Sequence, residues 1–214
     1  MFEIIKSKFE SVTKENFVAL GYLITEHDNT HSAFVIQYRD SLYEFHFTGL
    51  EISFSPILND YYHKITYHIH PDEVPAFIAM CQQIQKKANP TYGYFYSGEN
   101  YDKDGNHFGY NDFGERMTCV GFCLNVLKGF IDEDYLVYSD WDESTHTDLG
   151  YLEKYCEKYK IDISKIKTSH RRIAPIELIT SGFFIELPIR KIQIDNKIED
   201  VKAIIHTKEK FKMN

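Results

Sequence analysis

The sequence has no long apolar run: nowhere in its 214 residues is there a stretch near the roughly 18 apolar residues that a membrane-spanning helix needs. No bilayer span is expected. Positive charge is also scarce, with 24 Lys and Arg against 32 Asp and Glu and a formal net charge of -8. That balance provides no basic field for a nucleic-acid backbone, and the only dense basic run is the tail "HTKEKFKMN", so nucleic acid is excluded as an expected partner. Cysteine is limited to Cys81, Cys119, Cys123 and Cys156, with no CxxC pair. This is too few for a disulfide scaffold, and free thiols are expected. The stretch "MFEIIKSKFESVTKENF" lacks the apolar core and small-residue cleavage site of a secretory signal, so cytosolic synthesis is expected, with any export left to a signal-independent secretion system. Internal repeats and low-complexity tracts are missing too.

What is present describes an ordinary globular chain, 43% hydrophobic and 26% charged, expected to form one domain over residues 1–214. The first thirty residues read as a short helix and an approach loop ending in "TEHDNTH". In "HSAFVIQYRDSLYEFHF" the run "SAFVIQY" and the alternating "LYEFHF" flank a turn-forming "RDS", which predicts a β-hairpin. "LEISFSPI" and "YYHKITYHIH" extend it into an antiparallel sheet, with Ile65, Tyr67 and Ile69 at mixed-face spacing. Over 72–88 the period changes: Val74, Phe77, Ile78, Cys81 and Ile84 fall at helical spacing, Lys86 and Lys87 occupy the last turn, and "NP" stops the helix. Cys81 is then a packing residue.

Residues 91–116 are rich in glycine and aromatics without a period, as in a lid or binding loop. "DKDGN" within them reads as a turn, because the ligand spacing and closing glutamate of a calcium loop are wrong. An acidic loop, "IDEDYLVYSDWDESTHTD", follows and reads as a solvated face. It contains Trp141, which is either a ligand contact or a packing anchor. A helix is expected over 148–160 with Leu152, Tyr155 or Cys156, and Tyr159 inward, and "FFIELPIRKIQI" has strand character.

The stretch "RMTCVGFCLNVLKGF" carries chemistry. Thr118 is a good helix N-cap, Val120, Cys123, Leu124 and Leu127 recur at three and four, and Gly129 suits a C-terminal stop. Cys119 therefore falls on the first helical position, where free backbone N–H groups and the positive end of the helix dipole favour a thiolate. The same groups could cradle an oxyanion. Cys123, one turn deeper on the apolar face, is expected to be structural.

A nucleophilic cysteine needs a base, and the hairpin selects among ten histidines. If "RD" is a two-residue turn, Tyr38 faces Ser41, Val35 faces Glu44, Ala33 faces His46 and His31 faces Thr48. His31, Glu44 and His46 then share one face of the sheet. That is a base with an orienting partner. A zinc site from His63, His68 and His70 is disfavoured, since no CxxC or HExxH accompanies them.

"HSAFVIQY" and "EFHF", followed much later by "TCVGF", resemble the circularly permuted branch of the NlpC-type, papain-like cysteine hydrolases, in which the histidine strand precedes the cysteine helix. His31-Ser32-Ala33 matches the "HxG" strand start of that family, with alanine where glycine is common. Cys119-Val120 matches its "CS" helix start and departs at the second position. "RIAPIELITSGFFIEL" at 172–187 is similar to the "itPxdL" segment of the permuted relatives.

The resemblance implies an α+β papain-like fold, an antiparallel sheet packed against the cysteine helix, with its core over about 30–187 and a loop insertion over about 91–116. It implies Cys119 as nucleophile, His31 as general base and then acid, and His46 as the orienting residue, with Glu44 as the other candidate for that place. No metal or organic cofactor is implied. The chemistry would be acyl transfer from an amide or ester. Peptidoglycan peptides are common substrates of such enzymes, and the permuted branch includes proteins similar to lipid acyltransferases. With no secretory signal, the expectation is an antibacterial effector with a cognate inhibitor protein as a partner. The competing class is a non-catalytic binding protein using the aromatic loop 92–113.

Overall fold

The segment "FVALGYLI" forms a strand rather than the approach loop expected for it, and it is buried along most of its length. A run buried on both faces carries no alternation, so its period does not separate strand from helix. The computed structural model describes residues 4–6, 15–25, 29–93, 98–109, 114–141, 149–164 and 171–210; the helix expected before residue 15 lies largely outside them.

Strands β1 (Ile5–Lys6), β2 (Phe17–Ile24), β3 (Thr30–Tyr38), β4 (Ser41–Phe47), β5 (Ile52–Pro56) and β6 (Tyr62–Ile65) form a six-stranded sheet in the order β1-β6-β2-β3-β4-β5. Every neighbouring pair in it is antiparallel. The β6 strand stops at Ile65, short of Tyr67 and Ile69. The fold is α+β, with five helices among the described residues: α1 (Val74–Lys87), α2 (Cys119–Ile131), α3 (Leu149–Tyr159), α4 (Pro175–Ser181) and α5 (Lys191–Lys210).

Alternation sorts the sheet into two faces. Val18, Leu20, Phe34, Ile36, Phe45 and Phe47 belong to the main core with Phe77 of α1 and Phe122 of α2. Phe122 lies 5.2 Å from the Phe45 ring and 6.1 Å from that of Phe47, which seats α2 across β4. On the opposite face Phe17, Ala19, Ala33 and Val35 are covered by Tyr61. Tyr61 arrives on the segment 57–61, a crossover from the edge strand β5 to β6.

The α2 helix continues past Gly129 to Ile131 and ends where Asp132 turns left-handed at φ 59°. Gly129 is no stop signal. A Cβ there would stand 1.6 Å from the Tyr101 carbonyl oxygen, so the missing side chain lets another strand lie against the helix.

The loop expected over 91–116 contains short strands: β7 (Thr91–Tyr92) pairs with β10 (Arg116–Met117), and β8 (Asn100–Tyr101) with β9 (His107–Phe108). Two-residue strands are too short to show a period. "DKDGN" is a turn, in which Asp102 Oδ1 accepts from the backbone of Asp104 at 2.9 Å and Asn106 at 2.8 Å. Residues 94–97 and 110–113 of that loop lie outside the described ones.

Residues 183–190 form no strand beyond the single parallel bridge of Ile189 to Leu136, and "KIQI" opens α5 instead of a strand. Ile194, Val201 and Ile205 are buried at near-helical spacing, so tertiary burial of one helix face overrides local β-propensity. Lys6 ties α5 to the sheet, with Nζ 2.8 Å from Tyr62 Oη, 3.0 Å from Glu209 and 3.6 Å from Asp60.

Candidate functional site

The β3–β4 hairpin turns at Arg39-Asp40, with Arg39 left-handed at φ 55°. Its ladder runs from Tyr38 opposite Ser41 through Val35 opposite Glu44 to Phe34 opposite Phe45, and stops. The further pairs expected from the sequence, Ala33 with His46 and His31 with Thr48, do not form. Beyond Phe45, β4 stays on β5 through His46–Ser53 and Phe47–Ile52, while β3 stays on β2 through Ser32–Tyr22 and His31–Leu23. The Thr48–Glu51 turn draws β4 toward β5: Thr48 N donates to the Glu51 carbonyl at 2.9 Å.

The α2 helix begins at this opening. Thr118 is the N-cap, its Oγ1 accepting from Gly121 N at 3.1 Å, and Cys119 is the first helical residue, as expected. The thiol accepts from the backbone at Ser32, the residue after His31, and at Val120. These bonds and the charge of Arg172 pull its pKa down, but burial outweighs them and the net shift is upward. The thiolate expected from the helix dipole is therefore replaced by a resting thiol.

His31 and His46 meet on the sheet face that carries Tyr61. Nε2 of His31 lies 2.8 Å from Nδ1 of His46, and the rings stand edge to face at 76°. Burial, with His46 adding to it, lowers the His31 pKa to about 4. Burial also lowers that of His46, with Glu44 opposing. Both imidazoles are neutral near pH 7. Glu44 Oε1 lies 3.9 Å from His46 Nε2. Its carboxylate accepts from Asn59 Nδ2 at 3.1 and 3.0 Å and from Asn59 N at 3.4 Å.

His31, His46 and Glu44 thus share one face, and Cys119 reaches the backbone beside His31 from the helix-covered face. Among the described residues no hydrogen bond joins Cys119 to His31. With Nε2 of His31 occupied by His46, Nδ1 is the nitrogen that remains to take a proton. The arrangement offers a thiol, a neutral base, a polar partner behind the base, and a helix N-terminus at which charge could develop. No family model, curated protein or solved structure matches the chain.

Asn59 and Tyr61 were not legible as site residues. Asn59 lies between the stretches "LEISFSPI" and "YYHKITYHIH" and Tyr61 opens the second, and neither position is marked in the sequence as facing the histidines. Tyr61 is fully buried over Gly21, where a Cβ would come within 3.2 Å of the ring. Its hydroxyl is held protonated by burial and by the nearby Glu44 carboxylate. Arg172 is a further addition, from the segment likened to "itPxdL".

Other sequence candidates serve packing. Cys123 and Cys81 are fully buried. His63 stacks on Phe17, His68 Nε2 bonds the Phe184 carbonyl oxygen at 3.2 Å, and His70 caps a 3-10 turn. Trp141 is an anchor, donating to buried Glu177 at 3.1 Å. In α3, Leu152, Tyr155 and Cys156 are buried, and Tyr159 is exposed rather than inward. Residues 142–148 of the acidic loop and the histidines at 27, 146 and 170 lie outside the described residues.

Proposed function

We propose that the protein is a papain-like thiol hydrolase with Cys119 as nucleophile, His31 as base and His46 as its orienting partner. The observation that carries this reading is the 2.8 Å bond between His31 Nε2 and His46 Nδ1 beside the Ser32 backbone that holds the Cys119 thiol. A largely buried histidine pair on a sheet is costly unless its polar atoms are used, and here, with His46 buried and His31 half-buried, it stands next to a helix-start cysteine.

In the proposed reaction the Cys119 sulfur, which rests on the Ser32 backbone, meets the His31 ring at the opening between β3 and β4, and its proton passes to His31 Nδ1 as it attacks an amide or ester carbonyl. The tetrahedral oxyanion forms near the N–H groups that open α2. His31 then gives its proton to the leaving amine or alcohol, and water resolves the thioester. Because the resting couple is thiol and neutral imidazole, His31 acts in the attack step itself. No metal or organic cofactor is required.

The substrate class proposed is the one the family resemblance implies: peptide bonds of cell-wall fragments, cut by an antibacterial effector with a cognate inhibitor, with lipid or small acyl esters as the second class. The test is to incubate wild type and His31→Ala with p-nitrophenyl acyl esters and with peptidoglycan fragments, quench in acid, and read the Cys119 peptide by mass spectrometry. An acyl adduct on Cys119 that vanishes in His31→Ala is expected. Absence of turnover and adduct with both substrate classes overturns the reading, and the aromatic loop then becomes the surface to pursue.

A further inference from the structure

The hydrolase reading needs a lone pair on His31 Nδ1, and a second residue controls whether it is there. We propose that Glu44, held by Asn59, is a positioning residue that fixes the tautomers of His46 and, through it, of His31, so that His31 carries its proton on Nε2 and keeps Nδ1 bare. The inference rests on the hydrolase reading for its purpose, though not for its structural content.

A neutral imidazole has one N–H, and only one proton fits between His31 Nε2 and His46 Nδ1, 2.8 Å apart. Two arrangements satisfy that bond. In the first, His31 donates from Nε2, and His46 accepts at Nδ1 and carries its own proton on Nε2. In the second, His46 donates from Nδ1, so its Nε2 lone pair is bare and His31 is protonated on Nδ1, where it can take nothing from a thiol.

Glu44 separates the two. Its Oε1 lies 3.9 Å from His46 Nε2, too far for a hydrogen bond but close enough for its charge to act through a buried, poorly screened gap. A carboxylate attracts the N–H of the first arrangement and repels the lone pair of the second. Glu44 is 2% exposed, and Asn59 offers it donors only, from the side-chain amide to both oxygens and from the backbone. The other titratable groups near it, Tyr61 and the thiols of Cys119 and Cys123, keep their protons through burial. Among the described residues Glu44 is the carboxylate that acts on His46. When His31 takes the thiol proton, its Nε2–H already points to His46, and the positive charge faces a chain ending in Glu44.

The test records long-range 1H–15N correlations of full-length protein labelled with 15N-histidine near neutral pH, which report the protonated nitrogen of each ring. Protonation on Nε2 in both His31 and His46 is expected, and an Nδ1 proton on either ring in the wild type overturns the proposal. In Glu44→Gln the His31 ring should become a mixture of tautomers, and alkylation of Cys119 by iodoacetamide should slow by about tenfold. Glu44→Asp should restore the Nε2 tautomers and most of the rate. Unchanged tautomers and rate in a folded Glu44→Gln protein also overturn the proposal. The wild-type spectrum decides even if both variants fail to fold. Nε2 protons on both rings in a protein inert to both acyl esters and peptidoglycan fragments support the relay while removing the hydrolase reading.

Discussion

His31 and His46 share a 2.8 Å hydrogen bond where the β3–β4 ladder opens beyond Phe45, and burial leaves both imidazoles harder to protonate than free histidine. For His31 the shift runs from 6.5 to about 4. Above pH 6.5 neither the folded nor the unfolded state binds the proton. Between 6.5 and 4 the unfolded chain binds it and the folded one does not, so stability falls as pH falls through that window. At about 1.4 kcal/mol per unit, His31 accounts for at most about 3 kcal/mol of this loss. Urea unfolding at pH 7 and pH 5 should show the drop, and His31→Gln should flatten it. An equal slope in the variant would show that other groups set the acid limit.

The four thiols should react in an order set by burial. Cys81 and Cys123 are fully buried with pKa values well above the usual thiol range, and Cys156 is buried within α3. Cys119 is partly exposed. Brief treatment of the native protein with a maleimide should modify Cys119 first and the others only after denaturation, as read by peptide mass spectrometry. Labelling of Cys123 ahead of Cys119 would contradict the packing of α2.

Gly129→Ala should destabilise the protein by about 3 kcal/mol or more, because its Cβ would sit on the Tyr101 carbonyl oxygen and a backbone must move. Chemical denaturation gives the measure. A loss below about 1 kcal/mol, the ordinary scatter of surface changes, would mean that β8 does not lie against α2 as described.

Phe122→Ala should cost about 3–5 kcal/mol, the range for buried aromatics, since the ring meets those of Phe45, Phe47 and Tyr101. Thr118→Ala removes only the cap to Gly121 and should cost about 1 kcal/mol. Thermal melts of the two variants side by side test the ranking, and equal losses would overturn it.

Legibility followed the range of the interactions. The hairpin, the α1 stripe and the Thr118 cap were readable because each depends on residues a few positions apart, and the shared face of His31, Glu44 and His46 followed from alternation alone. The opening of the ladder after Phe45 was not readable. It results from β4 being drawn onto β5, and it replaced the expected pair Ala33–His46 with a gap that the start of α2 approaches. β2 was missed because a doubly buried strand has no period, and α5 because its isoleucines and valine suit either element. Asn59 and Tyr61 act only through a crossover whose destination depends on strand order, and the upward pull of burial on the Cys119 pKa depends on tertiary neighbours that the helix-start sequence does not show.

The seat of Phe122 on Phe45 and Phe47 has a consequence for the history of each molecule. The two imidazoles come from a hairpin of neighbouring strands, a contact of short loop that forms early in a chain emerging from the ribosome. The thiol is added much later and reaches the Ser32 backbone only once α2 has settled on those rings. A nascent chain would thus hold the histidine pair before the thiol arrives beside it. In the finished protein any local opening of α2 would disconnect the two again, so the chemical readiness of Cys119 would track hydrogen-exchange protection of that one helix.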